Sequence, residues 1–148
     1  RNDMKRFQRL ISLTKYIEGF SLPGISPIVT TAQSDATSKL QHLSGVQVLA
    51  ARPECRQQGD SDSYSSVLST AFFVVAKGLG PAGTPERERK QYGELLDIAS
   101  LIVERVAADS TSTTCGLLSG MSLAAVEIVP EASIFGGWLG YSVELTFE

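Results

Sequence analysis

The last eight residues alternate strictly between apolar and polar: Tyr-Ser-Val-Glu-Leu-Thr-Phe-Glu, residues 141–148. A period of two puts Tyr141, Val143, Leu145 and Phe147 on one face and Ser142, Glu144, Thr146 and Glu148 on the other. Wound as a helix, the same residues would scatter their apolar groups around the cylinder. The segment therefore belongs in a sheet, with one face on a core and its terminus held down. Gly136, Gly137, Trp138, Leu139 and Gly140 lead into it, so the strand leaves a flexible turn that carries one large aromatic.

Further strands are legible upstream. Residues 46–51 form one, and Arg52-Pro53-Glu54 ends or kinks it. A polar run at 57–63 predicts a solvent-facing turn, and 64–76 a longer strand, so the two make a hairpin with a wide loop. The long strand is apolar on both faces near its end, with Phe72 and Val74 opposite Phe73 and Val75. It needs cover on both sides, a helix on one and something else on the other. Residues 123–129 predict another strand, and 130–137 the turn into the final one.

The clearest helix follows the glycine-rich stretch 78–83. Thr84 is the cap, Pro85 occupies the first helical position where no N–H is needed, and Glu86 complements the positive end. Tyr92, Leu95, Leu96, Ala99, Ile102, Val103 and Val106 then keep helical spacing. A first helix is expected over 3–18, capped by Asp3 and stopped by Gly19, with Phe7, Leu10, Ile11, Thr14 and Ile17 on one face. Between them, residues 20–45 are broken by Pro23-Gly24 and Pro27 and are expected to be irregular or mobile. Within that stretch Ile25, Ile28 and Val29 suggest a short extended piece, and 35–43 a helical turn or two. The order of elements predicts one α+β domain over 1–148. Its form is two-layered: an antiparallel sheet of about four strands, with the long central helix and the N-terminal helix on one face.

A chain of 148 residues with 43% apolar and 20% charged residues has the composition of one folded domain. Its net charge of −3 argues against nucleic acid as the main ligand. Lys5, Arg6, Arg9 and Lys15 read as a solvated helix face. No apolar run approaches the ~20 residues of a membrane helix, so no membrane partner is expected. No signal peptide is visible, and Met4 is a possible natural start. Cys55 and Cys115 lack ligand-like spacing, and free thiols are favoured over a disulfide.

The chemistry read from the residues is largely negative: no catalytic, cofactor-binding or metal-binding residue is expected. His42 is the single histidine and lacks a carboxylate or cysteine at ligand spacing. Cys115 has no positive neighbour in sequence to lower its pKa. Three carboxylate pairs, Glu86 with Glu88, Glu127 with Glu131 and Glu144 with Glu148, read as exposed faces and not as acid–base pairs. The stretch 78–83 lacks the Gly-Lys-Ser/Thr ending of a phosphate loop, and Pro81 removes an N–H.

Three pieces carry a resemblance. Ala71-Phe72-Phe73-Val74-Val75-Ala76-Lys77 is an apolar strand leading to a Pro/Glu-started helix, residues 92–106 are a single long helix between two hairpins, and 137–145 form a Gly-Trp-led final strand. The arrangement is similar to small phage tail proteins of the tail-terminator and tail-completion type. The resemblance implies a non-enzymatic part that assembles with copies of itself, as a ring, and with other tail proteins. Such a part is made in the bacterial cytoplasm and ends in the virion tail. A ring needs a heterologous interface. Strand addition at an unblocked terminal strand would supply one, with Trp138, Leu139, Tyr141, Glu144 and Glu148 as the candidate surface. The opposing reading is that Glu144 and Glu148 keep that edge from pairing. The alternative function is a small-molecule or peptide-binding domain, or a minor enzyme, with a pocket between the sheet and residues 20–45 that uses His42 or Cys115.

Overall fold

The structure is a computed structural model and describes residues 2–60, 63–112 and 116–148. Its helices are α1 (Asn2–Gly19), α2 (Gln33–Leu40) and α3 (Pro85–Thr111). Its strands are β1 (Ile28–Thr30), β2 (Gln47–Ala51), β3 (Glu54–Asp60), β4 (Ser63–Lys77), β5 (Leu123–Ile134) and β6 (Trp138–Phe147). This is an α+β fold with a mixed six-stranded sheet, where about four antiparallel strands were expected. The order is β1-β2-β4-β6-β5, with β3 also paired to β4 and β1 parallel to β2.

Both additional strands come from stretches read as irregular. Residues 20–45 hold β1 and α2. The polar run expected to be a turn is largely β3, whose register sets Glu54 opposite Ser69 and Asp60 opposite Ser63. β2 and β3 lie end to end along one side of β4. Ala50 faces Phe72 and Glu54 faces Ser69, so three residues, Ala51 to Pro53, stand against two. This is a bulge, and it is where a proline without an N–H is tolerated. Thr70 Oγ1 donates to the Ala51 carbonyl at 2.7 Å and Arg52 N donates to Thr30 O at 2.9 Å, which occupies the loosened backbone. The extra residue reverses the facing of the strand: Ala50 shares a face with Phe72, and Cys55 shares it with Leu68.

β4 organises the core because both its faces are covered. Phe72 and Val74 join Leu13, Ile17, Leu95, Ile102 and Val106 beneath α1 and α3. Val75 joins Ala36, Leu40, Leu49, Phe135 and Trp138 beneath α2. The helix on the second face is therefore α2, and the expectation of both helices on one face holds for α1 and α3 alone. Each fully buried aliphatic side chain of α3 contributes roughly 1.5–3 kcal/mol. The expected cap is in place, with Thr84 Oγ1 accepting from Arg87 N at 3.2 Å. Tyr16 donates to Asp109 Oδ2 at 2.6 Å and ties α1 to α3.

β6 carries the alternation read from its sequence. Tyr141, Val143, Leu145 and Phe147 pair with Val74, Phe72, Thr70 and Leu68 on the α1–α3 side. The strand is not an edge, however. It pairs with β4 along one flank and β5 along the other, so it has no free edge for strand addition. β5 runs through Pro130 to Ile134 and does not stop before the proline. Proline is admissible there because β5 lies at the end of the sheet, where one side of the strand needs no donor. At Gly140, φ is +153° and a β-carbon would run into the carbonyl of Val74.

Candidate interaction surfaces

The residues named from sequence as an association surface part company in three dimensions. Trp138 is buried, with Lys77 Nζ 5.7 Å from its ring centroid. Leu139 is half-buried. Tyr141 is half-buried against Tyr92, edge to face at 5.6 Å. Glu144 and Glu148 are exposed.

His42 is exposed in the turn that follows α2, with no hydrogen bond or ion pair among the described residues. Cys55 is an exposed free thiol on β3. Cys115 lies outside the described residues. The carboxylates regroup as well. Glu86 and Glu88 sit in the first turn of α3 as expected. Glu127 and Glu144 are brought directly opposite each other across β5 and β6. Sequence spacing could not reveal that pair, because register joins them. Glu131 instead accepts from Ser142 Oγ at 3.1 Å. The backbone of the 78–83 stretch is engaged internally: Gly78 N donates to Gly137 O at 3.1 Å and Gly83 N to Gly80 O at 3.0 Å.

Among the described residues two titratable groups are shifted. The Thr31 N–H on Asp35, aided by the Lys39 ammonium, holds the Asp35 carboxyl below its ordinary range. Lys39 Nζ also donates to Val29 O at 2.7 Å, so this network fastens α2 to β1. Burial pushes the Tyr92 phenol up, and Glu88, Tyr141 and Glu131 add to it. Tyr92 donates to Glu131 O at 2.8 Å and joins α3 to β5.

A cavity of about 350 Å³ opens between the sheet and the start of α2. Ala36, Phe73, Ile134 and Phe135 make its apolar wall, and Glu131 and Gln33 supply polar groups. His42 follows the other end of α2, roughly 13 Å along the axis at 1.5 Å per residue, so it is remote from this cavity.

Among the described residues, the exposed apolar side chains include two groups. On α1, Phe7 and Ile11 are 64% and 53% exposed, one helical turn apart. They share a helix face with Glu18, whose carboxylate meets Arg52 Nη1 at 3.5 Å. The end of α1 therefore lies by the β2–β3 bulge, while its earlier residues Gln8, Arg9 and Ser12 line a recess with Ser119, Gly120 and Met121 just before β5. The second gathering is a shoulder where α3 overhangs β5. Leu96 is 38% exposed, Val126 40% and Ile128 36%. Register with Leu145 and Val143 puts Val126 and Ile128 on the helix side of β5. The Tyr92–Glu131 bond fixes the alignment of helix and strand. From there, rises of about 1.5 Å per helical residue and 3.3 Å per strand residue bring Leu96 level with Val129, next to Ile128, and the half-buried Val103 level with Val126.

The two apolar patches lie on different elements, one on α1 and one where α3 overhangs β5. Helical spacing puts Phe7 and Ile11 on one apolar face of the first helix, yet both are exposed. Their exposure follows from the face they occupy: the core face of α1 runs through Leu10, Leu13, Tyr16, Ile17 and Phe20, and at about 100° per residue Ile11 points away from Leu13 and Tyr16. Among the described residues no group of three or more His, Cys, Asp or Glu side chains is close enough to hold a metal ion, and no helix is long and apolar enough to cross a membrane. No protein-family model matches the chain, and no curated protein matches it significantly.

Proposed function

We propose that this chain is a non-enzymatic structural subunit that assembles with copies of itself, ring-forming in the manner of phage tail-terminator and tail-completion proteins. The observation that carries the reading is the pair of exposed apolar patches, one on α1 and one where α3 overhangs β5. A monomer gains nothing from displaying two such patches, whereas head-to-tail association buries both and closes on itself if the rotation per subunit allows. The α+β architecture, with its long central helix between two strand pairs, is consistent with the tail-protein resemblance.

Sedimentation velocity across a hundredfold range of protein concentration tests the proposal. A defined oligomer that grows in population with concentration is expected. A single monomeric boundary throughout would remove the support.

The cavity at the start of α2 favours a second reading, a binding site for a small apolar molecule or the side chain of a peptide. Its volume falls at the low end of the range for ligand pockets. A thermal-shift screen of small aromatic and aliphatic acids and amides distinguishes the two. A ligand that raises the melting temperature in the wild type and fails to do so in Ala36→Phe would favour this second function.

A further inference from the structure

We infer that the recess between α1 and the turn before β5 is a binding site for a small oxyanion, a carboxylate or phosphate group held by Arg9. The site is separate from the apolar patches on which the assembly reading rests.

The starting observation is a charge without a partner. Nε and Nη2 of Arg9 are closed to water, and neither makes a hydrogen bond. No ion pair of the described residues includes Arg9. Buried polar groups are almost always satisfied, and a charged donor left unpaired is the costliest exception. The fold explains how Arg9 comes to be there. α1 packs on the short 3-10 turn Gly116–Leu118, and Leu118 and Met121 join Leu13 in the core. Arg9 lies one helical turn before Leu13 on the same side of α1, so that packing carries its side chain inward.

The two orphaned atoms define the ligand. Nε and Nη2 form one edge of the guanidinium, with parallel N–H bonds that match two oxygens of a carboxylate or phosphate. Beside them is a recess of about 290 Å³, walled by Gln8, Arg9, Ser12, Ser119, Gly120 and Met121, with room for a group of a few heavy atoms. None of these residues is acidic, so the wall holds no side chain that competes for the guanidinium. The Ser12 and Ser119 hydroxyls and the Gln8 amide are further donors at the same wall. Capture requires the guanidinium to turn its closed edge into the recess. That turn breaks no hydrogen bond at Nε or Nη2, since they have none. It exchanges two unpaired donors for a charge-assisted pair, which is the driving force. An apolar ligand would leave both donors unpaired, and a cation would be repelled.

The test follows the Arg9 Nε–Hε resonance of the full chain by NMR, assigned by its loss in Arg9→Lys. Sodium phosphate and sodium acetate are each titrated against sodium chloride at equal pH and ionic strength. A saturable shift with at least one oxyanion and none with chloride is expected; phosphate acting alone assigns the site to phosphate groups, and acetate alone to carboxylates. The same oxyanion should raise the melting temperature of the wild type. Arg9→Lys, which keeps the charge and loses the fork, should weaken binding about tenfold or more. Ser12→Glu leaves Arg9 in place and sets a carboxylate on the same wall; it should suppress the response to added oxyanion and itself raise the melting temperature. An Arg9 resonance indifferent to both oxyanions would overturn the site. So would a thermal response undiminished in both Arg9→Lys and Ser12→Glu. Either result leaves the assembly reading standing, because sedimentation does not depend on this recess.

Discussion

Gly140 is the position where this fold tolerates least. Its φ of +153° lies in a region that L-residues rarely adopt, and its α-carbon lies close against β4. A β-carbon added there would strike the Val74 carbonyl oxygen, 2.9 Å from the Val74 carbonyl carbon and 3.0 Å from Val75 Cα. β4 cannot retreat, since Val74 and Val75 are also paired with Val48 and Gln47 of β2. Gly140→Ala therefore costs about 1–3 kcal/mol in backbone strain and about 1–3 kcal/mol in overpacking, offset by ~0.4–1 kcal/mol from a less flexible unfolded chain. The net loss is about 3 kcal/mol, a sizeable share of the ~5–15 kcal/mol typical of a folded domain. At about 2–4 °C per kcal/mol for a chain near this length, the melting temperature should fall by roughly 6–12 °C. Gly93→Ala is the matched control. Gly93 is exposed in α3 with nothing within 4 Å of an added β-carbon, and alanine there should gain about 0.5–1 kcal/mol. Urea unfolding followed by circular dichroism and Trp138 fluorescence measures both. Two substitutions of the same sign, or a Gly140→Ala change below about 0.5 kcal/mol, would refute the claim that β6 passes β4 at this distance.

Three further outcomes are expected. Thr84→Ala should remove the α3 cap and cost about 1 kcal/mol, with faster amide exchange confined to the first turn. Glu127→Lys should turn the repulsion across from Glu144 into attraction and stabilise by about 0.2–1 kcal/mol, an effect that shrinks in high salt during urea titration. The Tyr92 phenol, raised by burial and by nearby carboxylates, binds its proton more tightly in the folded chain. Its contribution is present below the ordinary tyrosine pKa of ~10 and is lost as pH rises from there through the higher folded value. Tyr92→Phe should flatten that alkaline loss of stability in denaturation curves taken between about pH 9 and 11.5; an unchanged slope would dismiss Tyr92 as its source.

Local signals predicted the long helix and the last strand well, and the physical reason is that each is self-contained. A cap, an initial proline and a sustained 3.6-residue period define α3 without reference to any other part of the chain. Strict alternation defines the faces of β6 in the same way. β3 escaped notice because Glu-Cys-Arg-Gln-Gln-Gly-Asp has neither apolar alternation nor high strand propensity; its ladder with β4 holds it extended. β5 was expected to stop at Pro130 because nothing local announces an edge position, which is what permits proline in a strand.

The candidate surfaces divide along the same line. Sequence named Trp138 and Tyr141 from their prominence beside a terminal strand, yet strand order places β6 between two neighbours and draws Trp138 under α2. Phe7 and Ile11, placed by periodicity on the apolar face of the first helix, are exposed because the face that meets the core is centred on Leu13, Tyr16 and Phe20. From its sequence alone this chain was bound to contain a capped helix, a two-faced buried strand and a half-buried terminal one, since residue spacing dictates which side chains share a face. Which strands are neighbours, which helix covers which face, that Glu127 meets Glu144, and where apolar surface is left bare were decided by tertiary structure. Those outcomes depend on hydrogen bonds and packing between residues far apart in the chain, which no local pattern encodes.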